Sequence, residues 1–243
     1  MPAQLRKQAL QIFRAALAAA APVEAVARHL RVDGDQLIAG KRRYRLSSFR
    51  GIHVLGAGKA SAAMALAVER ILQRRLTGGL INVKDGHLAR LRRVELHECG
   101  HPVPDQRGVD GALSIAAIAR QAGENDLILC VISGGASALM PAPAAPVTLE
   151  EKQAVTRLLL ASGADIHEMN AVRKHISELK GGQLARLAAP ATVITLLLSD
   201  VIGDDLDVIG SGPTAPDKST FPEARRILER YGVWEQTPPA VRE

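Results

Sequence analysis

The sequence predicts an α/β protein with a doubly wound, mainly parallel sheet flanked by helices on both faces. This is a Rossmann-like three-layer sandwich, led in by N-terminal helices. Two observations carry the prediction. Short apolar runs at residues 52–55, 80–83, 127–132 and 192–198 alternate with segments of helical apolar spacing. Most of those runs end in a turn of glycine and other small residues, which a parallel sheet gathers at one edge.

Residues 1–50 read as a basic helical lead-in, with helices over 4–20 and 23–30, an Asp33-Gly34 turn and a short hairpin over 37–46. This segment holds ten Lys/Arg against three Asp/Glu, so the net charge of +6 sits there and the rest is nearly neutral. No aromatic–basic interleaving accompanies the charge, so nucleic acid is not expected as a partner. No uninterrupted apolar run approaches the length that crosses a bilayer, so no membrane association is expected either. The acid-free first residues resemble a transit peptide faintly, but Arg14 interrupts any secretory core. Two cysteines, Cys99 and Cys130, lie in strand-like runs with no metal or disulfide spacing. They read as buried thiols of a cytoplasmic protein.

Residues 51–220 form the expected sheet core. The first strand turns through Gly56-Ala57-Gly58-Lys59 into a helix whose Ala60, Ala63, Met64, Ala67, Val68, Ile71 and Leu72 repeat on one face. Unpaired N–H groups at a helix start, close backbone approach at glycine and a lysine together suit a phosphate or carboxylate. The P-loop pattern fails here. His53 stands where its first glycine belongs, and Ala60 stands where its hydroxyl belongs. A dinucleotide fingerprint would put its third glycine at Ser61, with Asp85 far off for a ribose partner.

Strands over 80–83 and 93–98 follow, then Gly100-His101-Pro102-Val103-Pro104-Asp105, in which His101 ends a strand and Asp105 caps the next helix, 107–121. The most apolar strand ends in Ser133-Gly134-Gly135-Ala136-Ser137, a small-residue turn able to wrap an anion. Thr148 and Glu151 form a capping box, and further helices are expected over 165–172, 183–189 and 222–230. Arg173, Lys174 and Lys180 flank the pair Gly181-Gly182 before a helix, a pattern that suits phosphate contact as well as a solvated face. After the last strand, Asp200 and the loop acid Asp204 suit magnesium or a general base. Gly210–Thr214 reads as a flexible turn, and the tail after residue 230 shows no obvious partner.

Taken together, GAGKA (56–60), GHPVPD (100–105), SGGASAL (133–139), NAVRKHIS (170–177), KGG (180–182) and SDVIGDD with SGPT (199–214) resemble the class II glycerate kinases, the glycerate 2-kinases. Their genes are also labelled hydroxypyruvate reductase. Ala136 departs from the third glycine usual in that family's turn. The resemblance implies ATP- and Mg²⁺-dependent phosphorylation of D-glycerate at its 2-hydroxyl. It also implies an active site between this domain, residues 1–243, and a second, C-terminal domain that the sequence does not include. Lys59 would hold the glycerate carboxylate or the transferring phosphoryl group, and Asp200 would take the hydroxyl proton or organise magnesium, with Asp204 as a further metal candidate. Gly56, Gly58, His101, Ser133, Gly134, Gly135 and Ser137 would line the phosphate site, while Arg173, Lys174 and Lys180 would neutralise its charge. Without its second domain the chain is expected to be weakly active or inactive, and prone to form homo-oligomers. Two alternatives stand beside this reading: an NAD(P)-dependent hydroxypyruvate reductase and a non-catalytic nucleotide- or phosphate-binding domain.

Overall fold

The computed structural model describes residues 2–199 and 201–243. Helix α1 (Pro2–Ala19) and helix α2 (Pro22–His29) open the chain, Pro22 taking the first helical position of α2. A three-stranded antiparallel sheet follows, of β1 (Leu30–Asp33), β2 (Gln36–Ala39) and β3 (Arg42–Arg45). The sequence reading had a hairpin over 37–46, and it placed Leu30 in a helix. The difference has a simple cause. Leu30-Arg31-Val32-Asp33 alternates apolar and polar, so Leu30 goes under the sheet while the Asp33-Gly34 turn joins β1 to β2.

The main sheet then begins with β4 (Gly51–Ala57), α3 (Ser61–Leu72), β5 (Gly78–Lys84), β6 (Val94–Cys99) and α4 (Gln106–Gln121). It continues through β7 (Asp126–Ser133), α5 (Ala136–Leu139), α6 (Leu149–Ser162), α7 (Ile166–His175), α8 (Gln183–Ala188) and β8 (Thr192–Leu198). Helices α9 (Phe221–Arg230) and α10 (Pro239–Arg242) end the chain, α10 lying against α6. All five strands are parallel, in the order β6-β5-β4-β7-β8. The expected α/β three-layer fold is therefore present.

Period two along β7 divides the layers. Leu127, Leu129 and Val131 pack with α2, α3 and the small sheet, while Ile128, Cys130 and Ile132 pack with α4, α5 and α8. A third cluster, of Val155, Leu159, Met169, Val172, Ile227 and Leu228, joins α6, α7 and α9 beside the sheet. Cys99 and Cys130 are both buried free thiols. Among the described residues no single helix is long and apolar enough to cross a membrane.

The strand order sets the position of the site. Chain progress runs outward from β4 to β5 and β6, then returns to place β7 on the other side of β4. Between β4 and β7 the winding reverses, and at such a reversal the loops at the strands' C-terminal ends part to leave a crevice. Asn82 on β5 braces this edge. Its buried amide nitrogen donates to the carbonyls of Gly108 on α4 and Leu139 on α5, at 3.0 and 2.7 Å. The α4 backbone can come so close only because residue 111 is glycine, since a Cβ there would lie 2.0 Å from Asn82 Oδ1. Gly111→Ala is therefore expected to cost about 1–3 kcal/mol by overpacking, read as a lowered midpoint in urea. Pairing it with Asn82→Ala should return part of that loss. A neutral Gly111→Ala would show that the brace is slack.

Candidate functional site

The turn after β4 is closed by the protein's own atoms. Gly58 N–H donates to Asn82 O at 3.1 Å, Lys59 N–H to Gly134 O at 3.0 Å, Ala60 N–H to Ser133 Oγ at 3.0 Å and Ser61 N–H to Gly58 O at 3.3 Å. The sequence reading put an anion on the N–H groups at the start of α3; these four have acceptors within the fold, while among the described residues those of Ala62 and Ala63, the next two, meet none. The glycines have a packing reason as well. A Cβ on Gly58 would stand 2.1 Å from Ser133 Oγ, and one on Gly56 would stand 2.0 Å from Val131 O. What this turn offers a ligand is the exposed Lys59 side chain.

Ser133 is likewise committed inward. It is 2% exposed, and its hydroxyl also meets Ser61 Oγ at 3.0 Å, while Ser61 Oγ donates to Val131 O at 3.3 Å. Its hydroxyl therefore fastens the two turns together and does not face a ligand.

The second turn is open. Gly135, at φ +91°, takes the left-handed conformation that lets the chain leave β7 and enter α5 at once. Among the described residues the N–H groups of Gly134 and Gly135 meet no acceptor. Lys59 and His101 stand beside them. A Cβ on Gly135 would lie 2.9 Å from His101 Nε2 and 3.5 Å from Lys59 Cε. The structure thus gathers Lys59, His101, Gly134 and Gly135 from three strand ends, β4, β6 and β7. His87 Nδ1 meets Lys59 O at 2.9 Å. Arg107 holds two acids of this edge, Asp85 at 2.7 and 2.9 Å and Asp105 at 2.8 Å.

Behind the second turn lies a chain of hydroxyls. Arg173 Nη2 donates to Ser137 Oγ at 2.6 Å, Ser137 meets Ser211 Oγ at 2.8 Å, and Ser211 donates to Asn170 Oδ1 at 2.9 Å. The segment around Ser211, read from sequence as a flexible turn, is buried in this network, with Gly210 and Gly212 at φ +60° and +59°. Lys180 is 0% exposed and donates to Ser137 O at 2.7 Å and Met140 O at 3.0 Å, so it supports α5 from below. Lys174 is buried between Asp207 and Asp217, at 3.0 and 3.3 Å. Of the three cations expected to neutralise phosphate, Arg173 and Lys180 reach the second turn, through the Ser137 hydroxyl and carbonyl, and Lys174 does not.

Sequence reasoning did not single out Lys152, which lies in α6 and donates to Ile176 O at 2.6 Å. Burial pushes the ammonium groups of Lys152 and Lys180 well below their ordinary range, and the neighbouring Arg173 adds to both shifts. Neither lysine has a carboxylate partner among the described residues. Burial thus works against the charged form of both lysines, and Arg173, which reaches Ser137 Oγ, is the cation that favours an anion in front of the turn.

The described residues offer magnesium little. They hold no group of three His, Cys, Asp or Glu suited to a metal ion. Asp204 is exposed and borders a cleft along β8. Asp200 lies outside the described residues.

The chain matches the family model described as a domain of unknown function, DUF4147, over residues 8–243. It is 42% identical over 238 residues to a glycerate 2-kinase of Pyrococcus horikoshii, covering 98% of this chain and 53% of that protein. It is 47% identical over 190 residues to a putative hydroxypyruvate reductase of Agrobacterium vitis, covering 78% of this chain and 49% of that one. A solved structure of a glycerate kinase from Thermotoga maritima superposes with a TM-score of 0.85 at 37% identity, over 99% of this chain and 55% of that chain. The chain thus spans about half the length of the curated relatives it matches. With a match over nearly its whole length, the chain belongs to the DUF4147 family.

Proposed function

We propose that this chain carries the phosphate-binding part of a glycerate 2-kinase, which moves the terminal phosphoryl group of ATP to the 2-hydroxyl of D-glycerate. The observation that carries the reading is the convergence of the Lys59 ammonium, the His101 ring and the open Gly134 and Gly135 N–H groups on one spot. Similarity to proteins named glycerate kinase supports the substrate. In the reaction the bond from the terminal phosphorus to the bridging oxygen breaks and a bond to the glycerate 2-oxygen forms. ADP leaves, and the hydroxyl proton goes to a base.

Such a transfer needs positioning and charge compensation more than covalent help from the protein. Gly134 and Gly135 N–H groups would donate to a phosphate oxygen, and Lys59 would meet the charge of the transferring group or of the glycerate carboxylate. Arg173 and Lys180 would hold α5, and with it the turn, in place. Asp200 is proposed as the base. Magnesium commonly takes one or two protein carboxylates beside substrate phosphates, and Arg107 occupies Asp85 and Asp105 at this edge. The described residues therefore fit the ion poorly, and no step above runs through it. The rest of the cleft would come from polypeptide that the relatives have beyond the matched half.

A reductase reading meets a specific obstacle. A dinucleotide's pyrophosphate sits at the first βα turn and the helix start after it, and here Gly58, Lys59, Ala60 and Ser61 have spent their N–H groups, which leaves those of Ala62 and Ala63.

Joined to the unmatched half of the Pyrococcus horikoshii relative, the chain should release ADP from ATP only with D-glycerate and Mg²⁺, at roughly 1–100 s⁻¹. Lys59→Ala and Asp200→Asn should each cut that rate on the order of 10²–10⁴-fold. Lys59→Arg should recover part, since charge remains but geometry changes. NADH oxidation with hydroxypyruvate outrunning ADP release would reverse the assignment.

His101 adds a pH signature. Burial first, then the Lys59, Lys84 and His87 charges, hold its imidazole below the ordinary 6.5. Between the folded and ordinary values the unfolded chain binds the proton more readily. The stabilisation is thus full above about 6.5 and is lost as pH falls through the folded value. Urea midpoints taken from pH 7.5 down to 5 should fall less steeply for His101→Asn than for the parent chain. Parallel slopes would contradict the partly buried, cation-crowded ring.

A further inference from the structure

The described sheets have four outer edges, and three of them are guarded by charge. Strand β1 carries Arg31 and Asp33, β3 carries Arg42, Arg43 and Arg45, and β6 carries Glu95, His97 and Glu98. Charged side chains on an edge deter other chains from pairing with its free backbone groups. Strand β8 is different. Its sequence is Thr-Val-Ile-Thr-Leu-Leu-Leu, with no charge and no proline, and it pairs with β7 alone. Six of its seven residues are only partly buried.

The free side of β8 is the floor of a cleft of about 600 Å³. Consecutive residues 194–199 line it, so the cleft runs along the strand's edge. Pro22, Ala25, Val26, Arg28 and His29 of α2 make one wall, while Asp204, Leu206 and Ile209 stand on another side. This is the shape left when one strand is taken out of a sheet.

We infer that the cleft receives a single extended, apolar strand from the part of the polypeptide that the relatives possess beyond the matched half, extending the main sheet past β8. The length comparison supplies the source, since the Pyrococcus protein has nearly half its chain outside the match. A second copy of this chain is the competing occupant, and the test separates the two. An apolar occupant follows from the leucines and isoleucine of the floor, and an extended one from the unpaired N–H and C=O groups, which hydrogen-bond only to another strand. This inference rests on the family comparison and is independent of the kinase assignment.

The test is hydrogen exchange on the 243-residue chain, alone and with overlapping peptides covering the unmatched half of the Pyrococcus horikoshii protein. Alone, alternate β8 amides should exchange fast, because every second N–H points into the cleft. One apolar peptide should slow those amides at least tenfold. Ala25→Trp, which fills the cleft from a solvent-accessible helix position, should abolish that protection without changing the protein's circular dichroism, and Ala25→Leu replaces it if the larger residue disturbs folding. No peptide protecting β8 would overturn the inference. So would protection that rises with protein concentration without peptide, because that result makes a second copy the occupant.

Discussion

The hydroxyl of Ser133 is the contact on which the site depends. It accepts the Ala60 N–H of one strand-end turn from the end of the neighbouring strand, and it meets Ser61, whose own hydroxyl reaches back to Val131. Because these groups are buried, each unmade bond would leave a polar group without water or partner, at about 1–3 kcal/mol. The clip therefore holds the β4 and β7 turns in one relative position. Gly58 is the consequence for sequence, since any side chain there would displace the hydroxyl. Lys59 is the consequence for function. Its main chain is anchored to Gly134, so its side chain emerges beside Gly135 without a costly search of conformations.

Electrostatics divides the charged groups around this clip into two kinds. Carboxylates at the sheet edge are neutralised within the fold, Asp85 and Asp105 by Arg107 and, further back, Asp207 and Asp217 by Lys174. Cations near the second turn are not. Lys152 and Lys180 are held in the interior by carbonyl oxygens, and Arg173 by a serine hydroxyl. Burial works against the charged form of Lys152 and Lys180, so the cation that an anion before the Gly134–Gly135 turn would meet from behind is Arg173.

Much of the fold was legible because strands and caps are local signals. The last strand's bounds, 192–198, agree with the structure, as do the Asp105 cap and the Thr148–Glu151 capping box. The small sheet was less legible because Leu30 continues the apolar face of α2 as well as starting the alternation of β1. At the site, the glycine turns and Lys59 could be seen, and their meeting at one edge followed from strand polarity. The roles of Ser133, Lys174 and Lys180 could not be seen, because a hydroxyl or ammonium serves whichever acceptor the tertiary fold brings near. Asn82 gave no signal at all, being one polar residue inside an apolar strand. The free state of Gly134 and the filled state of Gly58 differ only through neighbours far away in the chain.

The central proposal is that an anion is bound by the second turn and not by the Gly58–Ser61 turn. It is tested most directly by following backbone amide resonances of the 243-residue chain during titration with ATP. The account predicts that the largest saturable shifts fall on Gly134 and Gly135, and that Lys59→Ala weakens the binding without moving the affected positions. Shifts centred on Gly58–Ser61, with Gly134 and Gly135 silent, would contradict it.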